Sequence, residues 1–382
     1  MIERGAAESL AQRHPDLALS IAPGFERALV AKAGRRLAMN RTSQAEALAR
    51  QAVGRDPLDV AALRTFAFVR ERQGRVGDAE RIMSMAGRRS WRDGLVHAWL
   101  FQNHLRQGRI AEAMDDADSL LRREYDPPLR EKLFAVLTAM AAYPADRAVL
   151  VERLGEDPPW RGAFLAVAAR AADPDPTRSV LAGLRLGPKP PTADEITPIV
   201  SRLTGDRRYG EALAEWNEVS RPGASPGALM RDGDFAAAAD GTAFTWSAED
   251  GPGATTDVES APGDGGRHGL RVEYDGYSTP SLPRQLLILS PGRYRLSWLE
   301  LNVEGTDPDA LTWAVKCADD GRILATAPPA HPMLGMWRRA QLDFAAPVSS
   351  CEAQWLQLTP IPGERRTTFV RWFTAMRLEP LA

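Results

Sequence analysis

The residues of this sequence that could hold a metal ion or move a proton are few and scattered. Two of the five histidines, His97 and His104, lie seven positions apart within one predicted helix, which places them on about the same face, two turns apart. A metal site at that spacing needs further ligands, and no Cys, Asp or Glu stands between them. We therefore expect packed or solvent-facing histidines and no metal site there.

The acidic residues offer no convergent catalytic group either. The pairs Asp115-Asp116 and Asp319-Asp320 are neighbours in sequence, so their side chains point to different sides of a helix or cap a turn, and we expect solvated surface. The carboxylates of Asp232, Asp234 and Asp250 could hold a structural calcium ion. The sequence otherwise predicts no cofactor and no enzyme.

Aromatic residues concentrate beyond residue 230 and offer binding chemistry. An exposed ring can cover the apolar face of a pyranose while polar side chains bind its hydroxyls. Trp298, Trp313 and Trp372 stand at alternating strand positions and are expected in the core. The rings in predicted loops are Tyr277 and Trp337.

These two rings are the candidate platform for a glycan. Asp275, Arg284 and Arg338 lie near them in the sequence and are the candidate polar partners. The alternative is that Trp337 closes the rim of the fold and binds nothing.

The elements before residue 221 repeat at a fixed interval. Arg72-Gln73-Gly74-Arg75 returns as Arg106-Gln107-Gly108-Arg109, and Ala45, Ala79 and Ala113 keep the same spacing of 34 residues. This is the period of the tetratricopeptide repeat, a pair of antiparallel helices. Residues 1–220 are therefore predicted to form an α-solenoid, with clear repeats over about 26–127 and degenerate helical pairs over 128–220.

Such an array binds partners on the concave surface formed by the first helix of each pair. The repeat register predicts that six residues lie on that surface, namely Arg64, Phe68, Arg72, Gln102, Leu105 and Arg106. Arg72 and Arg106 occupy equivalent positions and could form a basic ladder for an acidic peptide or a polyanion. The alternative is that both are simply solvated.

Residues 221–229 are rich in turn formers and predict a linker, after which the apolar period changes to two. Leu270, Val272 and Tyr274 alternate with polar residues, and turn dipeptides such as Pro291-Gly292 separate the predicted strands. Residues 230–382 are therefore predicted to form an antiparallel β-sandwich or jelly roll. The predicted fold class is multidomain, α followed by β.

Both cysteines, Cys317 and Cys351, fall in neighbouring predicted strand regions. They could form one disulfide or be two buried apolar side chains. A disulfide would imply an oxidising compartment, because cytosolic proteins rarely keep one.

Charge and hydropathy exclude some partners. A net charge of −2 argues against nucleic acid, whose binding needs a surplus of Lys and Arg on one face. No apolar run reaches the roughly 18 residues of a membrane span, and the polar stretch from Met1 to Arg13 is not a signal peptide.

Two resemblances give these expectations a context. Gly233-Asp234-Phe235 and the strand containing Pro291-Gly292-Arg293-Tyr294 resemble the galactose-binding-like jelly rolls, which include many carbohydrate-binding modules. With the repeats, the whole chain resembles tetratricopeptide proteins encoded beside bacterial exopolysaccharide assembly and export systems. That resemblance implies a periplasmic accessory protein with a membrane anchor, although the sequence predicts no anchor segment; a cytoplasmic location is the alternative.

The resemblance also implies two partners. The solenoid would dock a protein, and the sandwich would bind polysaccharide. The alternative is a purely structural protein-interaction role without glycan binding.

Overall fold

The computed structural model describes residues 2–122, 127–219, 228–237, 239–247, 251–263, 266–304, 310–328 and 334–381. The chain folds into two compact units. One consists of Met1–Arg161 and Ala182–Lys189, and the other of Gly162–Leu181 and Pro190–Ala382. The predicted linker at 221–229 stays a prediction, because residues 221–227 lie outside the described residues.

The described residues before 220 form fourteen helices. They are α1 (Ile2–Leu10), α2 (Pro15–Ile21), α3 (Glu26–Ala38), α4 (Thr42–Arg55), α5 (Val60–Arg72), α6 (Val76–Arg89), α7 (Gly94–Arg106), α8 (Ile110–Leu121), α9 (Pro127–Met140), α10 (Pro144–Gly155), α11 (Arg161–Ala168), α12 (Asp175–Arg185), α13 (Ala193–Gly205) and α14 (Tyr209–Asn217). None of these helices is long and apolar enough to cross a membrane.

The three predicted repeats are the pairs α3–α4, α5–α6 and α7–α8, which begin 34 residues apart. Ala45, Ala79 and Ala113 are fully buried where the two helices of each pair cross, since only a small side chain fits a close crossing. The turns within the second and third pairs place Gly74 and Gly108 in the left-handed region, at φ 74° and 70°.

The third repeat corrects the prediction that Asp116 is solvated surface. Asp116 is 6% exposed, and its carboxylate accepts hydrogen bonds from His97 Nδ1 at 2.7 Å and His104 Nδ1 at 2.9 Å. The reason is its position three residues after Ala113, which turns it toward α7. Its neighbour Asp115 is exposed and pairs with Arg153. His97, Asp116 and His104 are called the His–Asp–His cluster below.

The described residues beyond 250 form nine strands in two antiparallel sheets. They are β1 (Ala254–Ser260), β2 (His268–Tyr274), β3 (Arg284–Leu287), β4 (Gly292–Glu304), β5 (Leu311–Cys317), β6 (Ile323–Thr326), β7 (Trp337–Ala346), β8 (Gln354–Pro360) and β9 (Phe369–Leu381). The large sheet has the order β1-β2-β9-β4-β7, and the small sheet has the order β3-β8-β5-β6. The predicted fold class, helical repeats followed by an antiparallel sandwich, is confirmed.

One apolar core joins the two sheets. Val272, Leu296 and Phe373 face it from the large sheet, and Trp313 and Leu356 face it from the small sheet. The Trp313 ring meets Phe373 edge-on, with centroids 5.4 Å apart. Of the tryptophans expected in the core, Trp298 and Trp313 lie in it. Trp372 is buried too, but in a separate cluster with Ala261 and Leu301, so the core prediction is wrong for this ring.

Helix α14 packs against the residues that lead into the sandwich, within the second unit. The Trp216 ring lies 5.9 Å from Phe244, and its Nε1 donates a hydrogen bond to Asp240 at 2.8 Å. The guanidinium of Arg231 lies 4.1 Å from the centre of the same indole ring. The last helix and the β-sandwich therefore share buried surface.

Candidate binding surfaces

The solenoid has a cavity of about 1000 Å³ formed by its second and third repeats and by α9, called the repeat groove below. Its described lining includes Arg64, Arg92, Asp93, Gly94, Leu95, Ala98, Leu120, Leu121, Leu129, Arg130 and Leu133. These residues come from α5, from the start of α7, from the end of α8 and from α9. Leu95 is 59% exposed, so an apolar side chain is available for a ligand to cover.

The rim of the repeat groove is cationic. Arg64 pairs with Asp93, whose other carboxylate oxygen caps α7 through the backbone N–H of Val96 at 3.2 Å. Arg92 is exposed, and the Arg130 guanidinium lies 5.5 Å from the Phe134 ring. Among the described lining residues, three arginines therefore face one aspartate around an apolar floor.

The six residues predicted on the concave surface lie in different environments. Arg64 lines the repeat groove. Phe68 is half-buried against the core of the second repeat, and Arg72 donates a hydrogen bond to Asn40 at 2.9 Å. Leu105 is half-buried, and Gln102 and Arg106 are exposed.

The predicted ladder of Arg72 and Arg106 stays a prediction. The sequence does not predict the leucines of the groove, because they come from different helices that only the fold brings together.

On the sandwich, the loop after β2 presents the ring of Tyr277, which is 52% exposed. Asp275 fixes this loop, since its Oδ1 accepts hydrogen bonds from the backbone N–H groups of Tyr277 at 3.0 Å and Ser278 at 2.9 Å. The Ser278 backbone N–H is the main cause of a lowered pKa for Asp275. Arg366 lies 5.8 Å from the centre of the Tyr277 ring and 3.8 Å from the Asp275 carboxylate.

The conformation of this loop requires glycine at position 276. Its φ is +66°, and a side-chain carbon there would lie 2.6 Å from the carbonyl oxygen of Thr367. Only glycine fits both requirements. The Tyr277 ring is therefore held on a well-defined turn with one acidic and one basic side chain beside it.

The prediction that Trp337 lies in a loop is wrong, because Trp337 is the first residue of β7. It pairs across the sheet with Leu301, which pairs with Trp372, and these apolar side chains form a small cluster with Ala261 on the outward face of the large sheet. Trp337 Nε1 donates a hydrogen bond to the carbonyl of Pro262 at 2.8 Å. Packing within the fold therefore accounts for most of the contacts of the Trp337 ring.

Arg338 points to the opposite side of the sheet, as alternation in a strand requires. It pairs with Glu300, which also accepts a hydrogen bond from Trp298 Nε1 at 2.8 Å. Both side chains line a cavity of about 160 Å³ between the sheets. Arg284 lies elsewhere, on β3 of the small sheet, with its guanidinium 4.5 Å from the centre of the Trp355 ring. The five predicted glycan residues therefore lie at four separate places, since only Asp275 and Tyr277 share one.

The predicted calcium ligands include Asp232, whose carboxylate accepts hydrogen bonds from the backbone N–H groups of Ala236 at 2.7 Å and Ala237 at 3.1 Å. Burial raises the pKa of Asp232. Asp250 lies outside the described residues. Among the residues that the structure describes, no group of three His, Cys, Asp or Glu side chains could hold a metal ion.

Cys317 and Cys351 are joined as a disulfide, with their Cα atoms 5.4 Å apart. Cys317 ends β5, and Cys351 lies just before β8, so the disulfide links two neighbouring strands of the small sheet at one end.

No protein-family model and no curated protein matches this chain. Solved structures match parts of it. A putative sugar binding protein from Bacteroides thetaiotaomicron is 12% identical, with a TM-score of 0.29, over 40% of this chain and 100% of that protein. A CBM22-1 xylan-binding domain of Xyn10C from Paenibacillus barcinonensis is 16% identical, with a TM-score of 0.26, over 36% of this chain and 87% of that domain.

A third structure, the APC/C hetero-tetramer Cut9–Hcn1, is 19% identical, with a TM-score of 0.30. The match covers 56% of this chain and 43% of that one.

Proposed function

We propose that this protein is a non-catalytic binding scaffold. Its helical repeats dock a segment of a partner protein, and its β-sandwich binds polysaccharide. The observation that carries the proposal is the repeat groove, with exposed leucine at its floor and a surplus of arginine around it. Holding both ligands on one chain raises the effective concentration of each for the other.

The groove favours a peptide of particular chemistry. An aliphatic side chain of the ligand would cover the leucine at the floor, and burying such a side chain contributes about 1.5–3 kcal/mol to the binding free energy. Its arginines favour carboxylates, which guanidinium groups bind in a bidentate manner. The ligand that fits best is therefore a segment of the partner with leucine-like residues beside aspartate or glutamate.

The compartment and the system are part of the same proposal. We place the protein in the periplasm, in a bacterial system that assembles or exports exopolysaccharide. The Cys317–Cys351 disulfide supports an oxidising compartment. The Tyr277 loop, with an exposed ring between Asp275 and Arg366, supports a sugar-binding role for the sandwich.

Leu95→Asp is expected to weaken binding of a leucine-containing acidic peptide at least tenfold, because it removes an apolar contact and adds a repelling charge. The measurement is fluorescence anisotropy of labelled peptides with the full chain. Leu58→Asp is the matched control, because Leu58 is equally exposed, at 59%, and does not line the groove. Equal losses for both variants would contradict docking in the groove, as would undiminished binding of a peptide whose acidic residues are replaced by lysine.

A second candidate is a purely structural interaction protein whose sandwich binds no glycan. The packing of Trp337 onto Leu301 and Trp372 favours it, because that ring is already engaged within the fold. Affinity electrophoresis of the full chain in gels containing neutral or acidic polysaccharides separates the two candidates. Retardation supports the scaffold with a sugar partner, and peptide binding without any retardation supports the second candidate.

A further inference from the structure

The outward face of the small sheet has an unusual composition. The cross-strand register places Leu286, Trp355, Lys316 and Ile323 in one row, and Arg284, Gln357, Ala314 and Thr326 in the next. Leu286 and Ala314 are buried on this face, whereas Arg284 and Ile323 are exposed. The alternate residues of these strands, such as Val315, Leu356 and Leu358, point into the core. We call the outward surface around Trp355, with Arg284, Lys316 and Gln357, the small-sheet face.

Trp355 is the central ring of this face. It is half-buried, so part of the indole is open to solvent. Lys316 is its direct cross-strand partner on β5, and exposed Arg284 stacks over the ring from β3. The ring therefore has a cation on each side, one from each neighbouring strand.

The charge of the small-sheet face is not neutralised within the described residues. The four strands of the small sheet contain no aspartate or glutamate. Neither Arg284 nor Lys316 forms an ion pair in the part of the chain that the structure describes. The large sheet differs, because its outward Arg271 and Arg295 pair with Glu273 and Asp343.

We propose that the small-sheet face binds an acidic polysaccharide whose sugars carry carboxylates. The inference rests on the proposed polysaccharide-binding function and names both the surface and the class of polymer. The indole covers the apolar face of one pyranose, displacing the Arg284 guanidinium sideways. Arg284 and Lys316 then pair with carboxylates on the bound chain, and Gln357 binds a hydroxyl.

The charge favours a polyuronate over a neutral polymer. Carboxylates of the ligand would form charge-assisted hydrogen bonds with the two cations, which have no acidic partners within the described ranges of the chain. A neutral sugar would leave both cations unpaired, so it would bind more weakly. A small patch of two cations on a chain of net charge −2 is too weak an electrostatic surface for nucleic acid.

The test is isothermal titration of the full chain with oligogalacturonate, and with a neutral galactan oligosaccharide of the same length. Trp355→Ala and the double variant Arg284→Gln with Lys316→Gln are each expected to weaken oligogalacturonate binding at least tenfold. Trp355→Phe keeps a ring and is expected to retain most of the affinity. Raising the salt concentration is expected to weaken binding by the wild type more than binding by the double variant.

Two control variants make the test specific to this face. Arg293→Gln removes an exposed cation from the large sheet, and Tyr143→Ala removes an exposed ring from the helical repeats; both are expected to leave oligogalacturonate affinity within twofold of wild type. Unchanged thermal unfolding of every variant excludes misfolding as the cause of a loss.

Four results would overturn the inference. If binding survives Trp355→Ala and the double variant but is lost in Tyr277→Ala, the polysaccharide function stands and the small-sheet face is wrong. If neutral galactan binds equally well, the acidic class is wrong. Equal binding of single-stranded DNA would show a general polyanion surface. If no oligosaccharide binds, the polysaccharide function fails together with the inference.

Discussion

Asp116→Ala is expected to lower the free energy of unfolding of the helical repeats by about 2–6 kcal/mol. A carboxylate only accepts hydrogen bonds, so both His97 and His104 donate from Nδ1 in the His–Asp–His cluster. Removing the carboxylate leaves two buried N–H groups without a hydrogen-bond acceptor, and each unsatisfied buried donor costs about 1–3 kcal/mol of stability. Urea denaturation followed by far-UV circular dichroism measures the change.

Asp115→Ala is the control for this prediction. Asp115 is the sequence neighbour of Asp116 and makes an exposed ion pair with Arg153, so its loss should cost no more than about 1 kcal/mol. The losses of stability caused by Asp116→Ala and by His104→Ala should also be less than additive in the double variant, because both substitutions remove the same contact. Similar costs for Asp115→Ala and Asp116→Ala would contradict a structural role for the cluster.

Replacing Cys317 and Cys351 with serine is expected to destabilise the sandwich by about 3–4 kcal/mol. The disulfide closes a loop across 34 residues of sequence, and the chain-entropy treatment of cross-links gives a stabilisation of that size. Guanidinium denaturation followed by tryptophan fluorescence is the measurement, because Trp313 and Trp298 lie in the sandwich core.

Reductant provides the internal control for the cysteine variant. It should destabilise the wild type by a similar amount and leave the double serine variant unchanged. A thiol titration of native, unreduced protein should find no free thiol. Two free thiols in such material would contradict both the disulfide and the proposed periplasmic location.

The helical repeats could be predicted closely from the sequence, because their period is regular and their packing residues are small. Ala45, Ala79 and Ala113 marked the helix crossings, and the structure places helices with that period. The longer strands could also be predicted, since residues such as Leu270, Val272 and Tyr274 alternate clearly. The sequence does not predict β1, β3 or β6. Strands β3 and β6 have four residues each, too few to show a period, and β1 is largely polar, with no alternation of apolar residues.

The side-chain environments were less predictable, because they depend on residues far apart in the sequence. Nothing near Asp116 indicates that two histidines of the preceding helix reach it. The sequence predicts a loop at Trp337, since its strand pairing with Leu301 depends on where β4 lies in the fold. The sequence around Trp355 does not indicate a cationic site, because the cations that flank the ring, Arg284 and Lys316, come from two other strands.

The packing of Trp216 on Phe244 has a practical consequence for dissecting this protein. Phe244 and Asp240 precede the first strand, but their partner is a side chain of the last helix. A fragment that starts at residue 228 would keep Phe244 and lose the indole that covers it, leaving an apolar patch prone to self-association. A fragment intended to carry the sandwich should therefore retain α13 and α14.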